Sequence, residues 1–326
     1  MDSKVSGEFR VKILETPEEM EAVEDLQRIV WPDSETDIVP LHALITYAHN
    51  GGLIIGAFSQ DESTAADENA HLIGFVYGFP GLYFTPDGPR PKHCSHQMGV
   101  LPSYRNQGVG FLLKRAQWQM VRHQSLDLIT WTFDPLLSRN AQLNITKLGA
   151  VSNTYLREFY GEMRDGLNTG LPSDRLQVDW WVNSRRVERR LSKRPRLRLD
   201  LAHFLAAGAE IINRSQKEED EWPRPAPPSR MEAPQLEDDE RLADDDAPSL
   251  KAGGGNSGDA ILLVEIPSDF LKLKEDDREL AVEWRLHIRA LFEDLFARGY
   301  IITDFVHLPG GSTRSFYVLS HGESTL

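Results

Sequence analysis

The sequence predicts a mixed α/β fold, in which one sheet of parallel and antiparallel strands is packed against helices. Segments of alternating apolar residues, typical of strands, take turns with segments whose apolar residues recur at helical spacing. The predicted order is strand, two helices, three strands, helix, strand, helix and strand. Hydrophobic residues form 40% of the 326-residue chain, which is enough for a substantial core,.

The elements of the first 100 residues follow from local patterns. Pro17 favours the start of a helix that runs to about Val30, where the following Trp-Pro pair ends it. Residues 79–91 contain four prolines and are predicted to form a loop,. The predicted strands are 9–14, 53–58, 71–79 and 93–100, and the predicted helices are 17–30 and 41–48.

A glycine-containing loop at residues 105–110 is the most informative segment. It lies between the strand 93–100 and a helix predicted at 111–123. The N–H groups in the first turn of a helix have no partner within the helix, and the helix dipole adds positive charge there, so this junction can bind an anion. Gly108 and Gly110 lack the Cβ atoms that would keep a phosphate group away from the backbone.

Two other glycine motifs do not fit this loop. The phosphate loop of nucleotide hydrolases requires Lys-Ser or Lys-Thr after its last glycine, whereas Phe111-Leu112 follows Gly110,. The dinucleotide fingerprint requires three glycines near the start of a βαβ unit, whereas several elements precede the two glycines here. A plain glycine turn is the alternative that involves no ligand.

The loop belongs to a longer run of residues with a particular order and spacing. The first part of the run is Met98-Gly99-Val100, Pro102, Tyr104-Arg105, Gly108-Val109-Gly110 and Leu112-Leu113. A strand predicted at 128–133 and a helix predicted at 138–148 follow, and the helix contains Asn140-Ala141 and closes with Lys147-Leu148-Gly149-Ala150. Together these residues resemble the acyl-CoA-binding motifs of the GCN5-related N-acetyltransferase (GNAT) superfamily, whose pattern is Arg/Gln-x-x-Gly-x-Gly/Ala.

The resemblance implies the acyl-CoA N-acyltransferase fold, with acetyl-CoA as cosubstrate and no metal. It implies that the pantetheine arm lies in a wedge between the fourth and fifth strands and that the loop holds the pyrophosphate. It also implies that an amine, on a small molecule or a peptide, attacks the acetyl group directly. The residues assigned to the cosubstrate are Met98, Gly99, Val100, Arg105, Asn106, Gln107, Gly108, Val109, Gly110, Asn140 and Asn144. For the two helical asparagines, a capped or solvated helix face is the alternative.

The catalytic groups depart from the superfamily pattern. Many members use a tyrosine four residues before the closing glycine as the acid that protonates the leaving thiolate, and Ile145 occupies that position here. This departure keeps a second hypothesis open, a non-catalytic acyl-CoA-binding or regulatory module. The candidate bases for the amine are His96 and Asp134, with His93 on the same strand as His96. The alternatives are a structural histidine and an aspartate that shapes the turn before Pro135.

Two further strands and a basic stretch follow the second motif. The strands are predicted at 151–160 and 176–182, where Trp180 and Trp181 either line an acceptor pocket or pack in the core. The basic stretch 183–198 is interpreted as a solvated helix; contact with an acidic substrate, the 3′-phosphate of CoA or RNA is the alternative. Nucleic acid is therefore not an expected partner.

An acidic linker and an extension complete the chain. Residues 215–259 carry 13 acidic and 5 basic residues, more than half of the net charge of −14, and their composition predicts disorder,. A β-α-β-β extension follows, with strands at 261–266, 300–308 and 315–319 and an amphipathic helix at 277–298,. The predicted parts are an acetyltransferase domain over 1–200, a helix remnant and linker over 201–259, and an extension over 260–326 that packs on the first domain.

Composition also bears on location. The sequence contains no run of 18 apolar residues and no apolar segment near its charged N-terminus, so we expect neither contact with a membrane nor a secretory signal,. Cys94 is the single cysteine, so an intramolecular disulfide and a cysteine-based metal cluster are excluded,. A reducing, cytoplasmic setting fits this composition.

Overall fold

One mixed sheet of eleven strands runs through the residues that the structure describes. The structure is a computed structural model, and it describes residues 9–32, 35–59, 71–161, 171–192, 199–216, 222–226, 261–309 and 313–321. The strands are β1 (Phe9–Ile13), β2 (Leu53–Ser59), β3 (Leu72–Thr85), β4 (Gly88–Val100), β5 (Leu128–Phe133), β6 (Val151–Leu156), β7 (Arg175–Trp181), β8 (Glu210–Ile211), β9 (Leu262–Ile266), β10 (Tyr300–Leu308) and β11 (Arg314–His321). Their order across the sheet is β1-β2-β3-β4-β5-β7-β6-β10-β11-β9-β8. The predicted α/β class with a mixed sheet is confirmed.

The described part of the chain also contains eight α-helices. They are α1 (Pro17–Val30), α2 (Leu41–His49), α3 (Val109–His123), α4 (Ser138–Ala141), α5 (Arg185–Leu191), α6 (Leu201–Ala206), α7 (Phe270–Asp276) and α8 (Arg278–Ala297). α4 continues as a π-helix over Gln142–Lys147. The sequence patterns did not predict α7 or the π-helix. None of the described helices is long and apolar enough to cross a membrane.

Helix α1 begins where its sequence predicts, because a capping box fixes its first turn. Thr16 Oγ1 accepts a hydrogen bond from the Glu19 N–H (3.3 Å), and Glu19 Oε2 accepts one from the Thr16 N–H (3.0 Å). Such caps stabilise a helix by about 1 kcal/mol. The buried face of the helix carries Met20, Val23 and Leu26, which belong to the same apolar cluster as two aromatic side chains of β3.

The helices cover both faces of the sheet. α1 and α2 pack on the face that carries Phe75 and Tyr77 of β3, whereas α3 and α4 pack on the face that carries Ile73 and Val76. Successive residues of a strand point to opposite faces, so β2 and β3 are apolar and buried over most of their paired length,. The strands between these helix layers, β4 and β5, form the centre of the candidate site.

The loop predicted at residues 79–91 is instead a β-hairpin. β3 continues to Thr85, and β4 begins at Gly88. Proline cannot donate to a strand ladder and is therefore confined to strand edges. The prolines fit because the outer half of each strand has one neighbour: β2 pairs with β3 no further than Gly78, and β5 pairs with β4 only from His93 onward.

The β-α-β-β extension adds strands to the same sheet. β10 pairs with β6 where Ile302 lies opposite Ser152, and β11 and β9 follow in antiparallel order. Gly299 directly follows the last turn of α8, and its φ of +83° suits the residue that ends a helix,. The extension therefore contacts the first part of the chain through its backbone, while the division into residues 1–200, 201–259 and 260–326 stays a prediction.

Two ion pairs, the first of them fully buried, attach α8 to the strands β5 and β7 of the sheet. Arg285 donates two hydrogen bonds to Asp134, directly after β5 (2.8 and 2.6 Å), and Arg289 donates two to Asp174, directly before β7 (2.8 and 2.7 Å). Arg285 is 1% exposed and Asp134 is 7% exposed. Neither member of this first pair can lose its partner without leaving a charge in the interior.

The basic stretch 183–198 was predicted to form a solvated helix, and its described part forms a helix that is exposed on one side only. Its described part contains α5, and the Arg186 guanidinium donates to the Gly149 carbonyl (2.9 Å). Arg190 donates to Asp304 of β10 (2.7 Å) and is largely buried. These arginines join the end of the second motif to the extension. The carbonyl of Gly149, at a helix C-terminus, and the carboxylate of Asp304 are both acceptors that a guanidinium group can satisfy,. Residues 193–198 lie outside the described residues.

Most of the predicted disordered linker also lies outside the described residues. Its described parts, 215–216 and 222–226, are ordered, so the prediction is wrong for them. Gln216 and Arg224 exchange two backbone hydrogen bonds (3.0 and 2.9 Å). Trp222 packs on the main core and donates from Nε1 to Asp276 (3.2 Å), so this aromatic side chain supplies apolar area that the rest of the linker lacks,.

Candidate active site

The site is a wedge between β4 and β5. The two strands pair in parallel at only two positions, His93 opposite Ile129 and Cys94 opposite Thr130. β4 stays paired with β3 as far as Val100, while β5 stays paired with β7 to its last residue. Each strand is therefore held on its outer side while the inner edges separate. The wedge that the sequence resemblance implies is present.

The loop that follows β4 presents an uncapped helix N-terminus. Asn106 and Gly108 adopt left-handed conformations, with φ of +66° and +88°, and Gly108 is the N-cap residue of α3. Because glycine has no side chain to cap the helix, the N–H groups of the first turn keep their hydrogen-bonding capacity. The Gln107 side chain folds back onto the Ser103 carbonyl (2.8 Å) and leaves the backbone of the loop open.

The helix N-terminus lies at the mouth of the wedge. A Cβ atom at Gly110 would lie 3.3 Å from Met98 Cε and 3.9 Å from Leu143. The first turn of α3 therefore touches both β4 and the helix that follows β5. A side chain at position 110 would press on the flexible end of Met98, and the first-turn N–H groups of α3 lie next to the separated strand edges.

Two arginines add positive charge at the same place. Arg105 donates from Nε to the Val100 carbonyl (3.1 Å), which anchors the loop to the end of β4. Burial, together with the like charge of Arg105, lowers the pKa of the Arg139 guanidinium. Neither arginine forms a salt bridge with a carboxylate in the described part of the chain, so the pair favours a multiply charged anion. The sequence analysis missed Arg139, although its place beside Asn140 in the second motif was a usable signal.

His96 stands at a β-bulge in the wall of the wedge. Tyr77 lies opposite Gln97 and Gly78 lies opposite Ser95, so His96 is the extra residue of β4,. Its ring stacks on the Tyr77 ring (5.5 Å between centroids), and its Nδ1 lies 3.2 Å from Tyr77 Oη. His96 as a residue is exposed, yet the packing of its ring against Tyr77 partly desolvates it and lowers its pKa, so the imidazole is neutral near pH 7 and can accept a proton,.

Asp134 does not have the surroundings of a base, which corrects our prediction. It accepts two hydrogen bonds from Arg285 and one from the Leu136 N–H (2.9 Å), and Arg175 lies 4.0 Å away. Burial alone would raise the pKa of Asp134, but the two guanidinium groups outweigh it and hold that pKa below its ordinary value. A carboxylate stabilised in this way does not take a proton from an amine near pH 7. Its role is to anchor α8 and the turn after β5.

The topology agrees with the two sequence motifs. The first seven strands are arranged in the order β1-β2-β3-β4-β5-β7-β6. One parallel pair opens into a wedge, and the uncapped N-terminus of α3, with Gly108 as its N-cap residue, lies at its mouth. The chain has the acyl-CoA N-acyltransferase fold.

Comparisons with known proteins gave structural matches only: no protein-family model matches the chain, and no curated protein matches it. NAA60 from Arabidopsis thaliana in complex with acetyl-CoA is 17% identical, with a TM-score of 0.40 over 53% of this chain and 99% of that chain. A protein assigned to the GNAT acetyltransferases, from Desulfovibrio desulfuricans, is 14% identical, with a TM-score of 0.40 over 53% of this chain and 99% of that chain. The NatC complex bound to Gag peptide and CoA is 13% identical, with a TM-score of 0.39 over 53% of this chain and 97% of that chain.

The helix after β5 is widened where the superfamily tyrosine is expected. Leu148 N–H bonds to the Leu143 carbonyl (2.9 Å), five residues back, as in a π-helix. Ile145 is 0% exposed and packs in the core, so it contributes nothing polar. A π turn holds one residue more than an α turn, which shifts the equivalent position toward Asn144. The Asn140 and Asn144 amides form no side-chain hydrogen bond with the described residues, so both can bind a ligand.

A buried polar chain lies between α3 and the wedge, and the sequence analysis missed it. Lys114 Nζ donates to Ser95 Oγ (2.7 Å) and to Gln117 Oε1 (3.1 Å), and Gln117 Nε2 lies 3.1 Å from His93 Nε2. Burial lowers the pKa of Lys114 to about 7, and burial with the nearby Lys114 charge lowers the pKa of His93 to about 3. A sequence signal existed, because Lys114 and Gln117 share the stripe of α3 that also carries Leu113 and Val121.

The two adjacent tryptophans have different surroundings. Trp180 is fully buried and donates from Nε1 to the Leu148 carbonyl (2.9 Å), so it belongs to the core. Trp181 is half-buried and meets the Tyr83 ring edge-on at 6.0 Å, so it lies at the rim near the β3–β4 hairpin. Among the described residues, no group of three or more His, Cys, Asp or Glu side chains could hold a metal ion.

Proposed function

We propose that the chain is an acyl-CoA-dependent N-acyltransferase of the GNAT superfamily, which transfers an acetyl group from acetyl-CoA to an amine. One observation carries the proposal. The parallel pairing of β4 and β5 ends at Cys94 and Thr130, and the resulting wedge opens onto the N-terminus of α3, which no side chain caps. A wedge of free strand edges suits an amide-containing arm, and the helix end suits a pyrophosphate.

Named residues would hold the cosubstrate. The first-turn N–H groups of α3 and the Arg105 and Arg139 guanidinium groups would bind the phosphates. The inner backbone edge of β4, around Met98 and Val100, would pair with the amides of the pantetheine arm, and the Asn144 amide would bind the arm from the other side. Beyond Cys94 this edge of β4 pairs with no strand among the described residues, although the Val100 carbonyl accepts one hydrogen bond from Arg105 Nε.

The acceptor amine would approach from the face of the sheet that α1 and α2 cover. His96 lies on that face of the sheet, beside Tyr77. Tyr160 lies near the same face, and its hydroxyl is 2.9 Å from Thr132 Oγ1. His96, whose pKa is lowered by partial desolvation of its ring, would take the proton that the amine loses as its nitrogen bonds to the thioester carbon,. Phe79, which is partly exposed, lies against the rings of His96 and Tyr47, and these aromatic side chains suit an amine on an apolar small molecule or a peptide,.

Amine-dependent release of thiol from acetyl-CoA tests the proposal. The purified chain is expected to release thiol with at least one member of a panel of small amines and N-terminal peptides. A His96→Asn variant is expected to lower kcat by about 10²-fold or more, because general base catalysis contributes that much.

Two outcomes of this assay would contradict the account. Equal rates for the His96→Asn variant would remove the histidine from the mechanism. Binding of acetyl-CoA without thiol release for any amine would favour the second hypothesis, a non-catalytic acyl-CoA-binding or regulatory module, which the buried Ile145 in place of the superfamily tyrosine supports.

A further inference from the structure

A lysine lies directly under the apex of the wedge. Continuing the parallel register past the last paired residues would place Ser95 opposite Trp131, so these two residues mark the point where the strands part. Lys114 Nζ lies 2.7 Å from Ser95 Oγ and 3.8 Å from the centroid of the Trp131 ring. The Lys114 side chain thus contacts both Ser95 and Trp131, the first residues beyond the pairing between β4 and β5.

The surroundings of Lys114 do not supply an opposite charge. The residue is 3% exposed, and its partners are a hydroxyl, an amide oxygen and an aromatic ring. No carboxylate forms a salt bridge with it in the described part of the chain. The facing titratable group is His93, which burial and the Lys114 charge keep neutral, and no described residue forms a hydrogen bond with its Nδ1. Because burying an unpaired cation destabilises a fold, the position calls for a reason other than stability.

An anion is generated at this depth during acyl transfer. The acetyl thioester is the inner end of the arm that the wedge would receive, and the breaking C–S bond leaves its electron pair on sulfur. The position where many superfamily members carry a tyrosine acid is occupied by buried Ile145 and the amide of Asn144. Neither group can give up a proton.

We propose that Lys114 is the acid that protonates the sulfur of CoA as it leaves. This proposal rests on the proposed function. The acceptor nitrogen bonds to the carbonyl carbon and loses a proton to His96, the C–S bond breaks, and sulfur takes a proton from the Lys114 ammonium. Solvent then returns the proton from His96 to Lys114, so the sum is amine plus acetyl-CoA giving amide plus CoA thiol. The pKa of Lys114, lowered by burial to about 7, suits a group that changes its protonation state in each cycle near pH 7,.

The test compares wild type with Lys114→Met, and uses Lys272→Met, an exposed lysine of α7, as the matched control. In Lys114→Met, kcat is expected to fall by about 10²-fold or more, while the KM for acetyl-CoA changes little. The kcat of wild type is expected to fall as pH rises above about 7, because the acid must be protonated. The kcat of Lys114→Met is expected not to show this fall. The control is expected to match wild type.

The pH profile is the second readout, because a merely structural role for Lys114 would lower kcat by a similar factor at every pH. A Lys114→Met variant that keeps the wild-type fall of kcat above about pH 7 overturns the proposal, even when its kcat is lower. An unchanged kcat overturns it as well. Failure of wild type to bind CoA or acetyl-CoA would instead overturn the proposed function and this inference with it.

Discussion

Replacing Asp134 by alanine is expected to lower the free energy of unfolding by about 3–5 kcal/mol. The reason is that Arg285, 1% exposed, would keep its charge in the interior without the carboxylate that accepts two of its hydrogen bonds. Already in wild type, no described residue forms a hydrogen bond with Arg285 Nε. Urea denaturation of wild type and variant measures the change, and the midpoint should move with little change in the slope.

Two further variants show whether burial of the charge is the cause. Asp294→Ala removes a carboxylate that pairs with Arg298 at the end of the same helix. The side chains of Asp294 and Arg298 are 63% and 31% exposed, so the loss is expected to cost less than about 1 kcal/mol,. The double variant Asp134→Leu with Arg285→Met removes both charges and is expected to recover much of the lost stability. Equal effects of Asp134→Ala and Asp294→Ala would contradict this interpretation of the pair.

Lys114→Met is expected to raise the free energy of unfolding, the opposite of the effect expected for Asp134→Ala. Burial lowers the pKa of Lys114 from 10.5 in the unfolded chain to about 7 in the folded protein, so between these values the unfolded state binds more protons,. The free energy of unfolding of wild type therefore falls as pH falls from about 10.5 to about 7, and methionine removes this loss. The gain is expected to be on the order of 3–5 kcal/mol at pH 7 and to fade toward pH 10.5.

Thermal or urea unfolding across this pH window measures the effect. Lys272→Met controls for the loss of one lysine from the surface and is expected to change stability by less than about 0.5 kcal/mol at any pH. A destabilised Lys114→Met variant, or one whose gain does not depend on pH, would show that the ammonium is well satisfied by its hydrogen-bond partners. Together with the expected loss of kcat, a stabilising substitution would mark Lys114 as a residue kept for function at the expense of stability.

The sequence predicted those parts of the fold that local signals determine. The bounds of α1 follow from its cap and its proline, and β5 occupies residues 128–133 as predicted from its apolar pattern. The loop at 105–110 was predictable as an anion site because glycines between a strand and a helix have a direct backbone consequence. In each case the deciding interactions lie within a few residues along the chain.

The remaining differences come from interactions between distant residues or from the position of a strand in the sheet. The 79–91 hairpin depends on its strands having a free edge, which proline content alone does not reveal. The pairing of Asp134 with Arg285 joins residues 151 apart in sequence, so the local context of Asp134 suggested a base or a turn instead. Lys114 was visible on the apolar stripe of α3, but its meaning depends on Ser95 and Trp131, which only the folded sheet brings together.

The central claim, that this wedge binds acetyl-CoA, is tested most directly by calorimetric titration of three proteins with acetyl-CoA. Gly108 and Gly208 are both exposed and left-handed, with φ of +88° and +84°, so Gly108→Trp and Gly208→Trp carry the same backbone strain while only the first blocks the loop. Wild type and Gly208→Trp are expected to bind with sub-millimolar affinity, and Gly108→Trp is expected to bind at least about tenfold more weakly, a loss of about 1.4 kcal/mol or more. No heat of binding with wild type at millimolar acetyl-CoA, or equal affinity in Gly108→Trp, would contradict the claim.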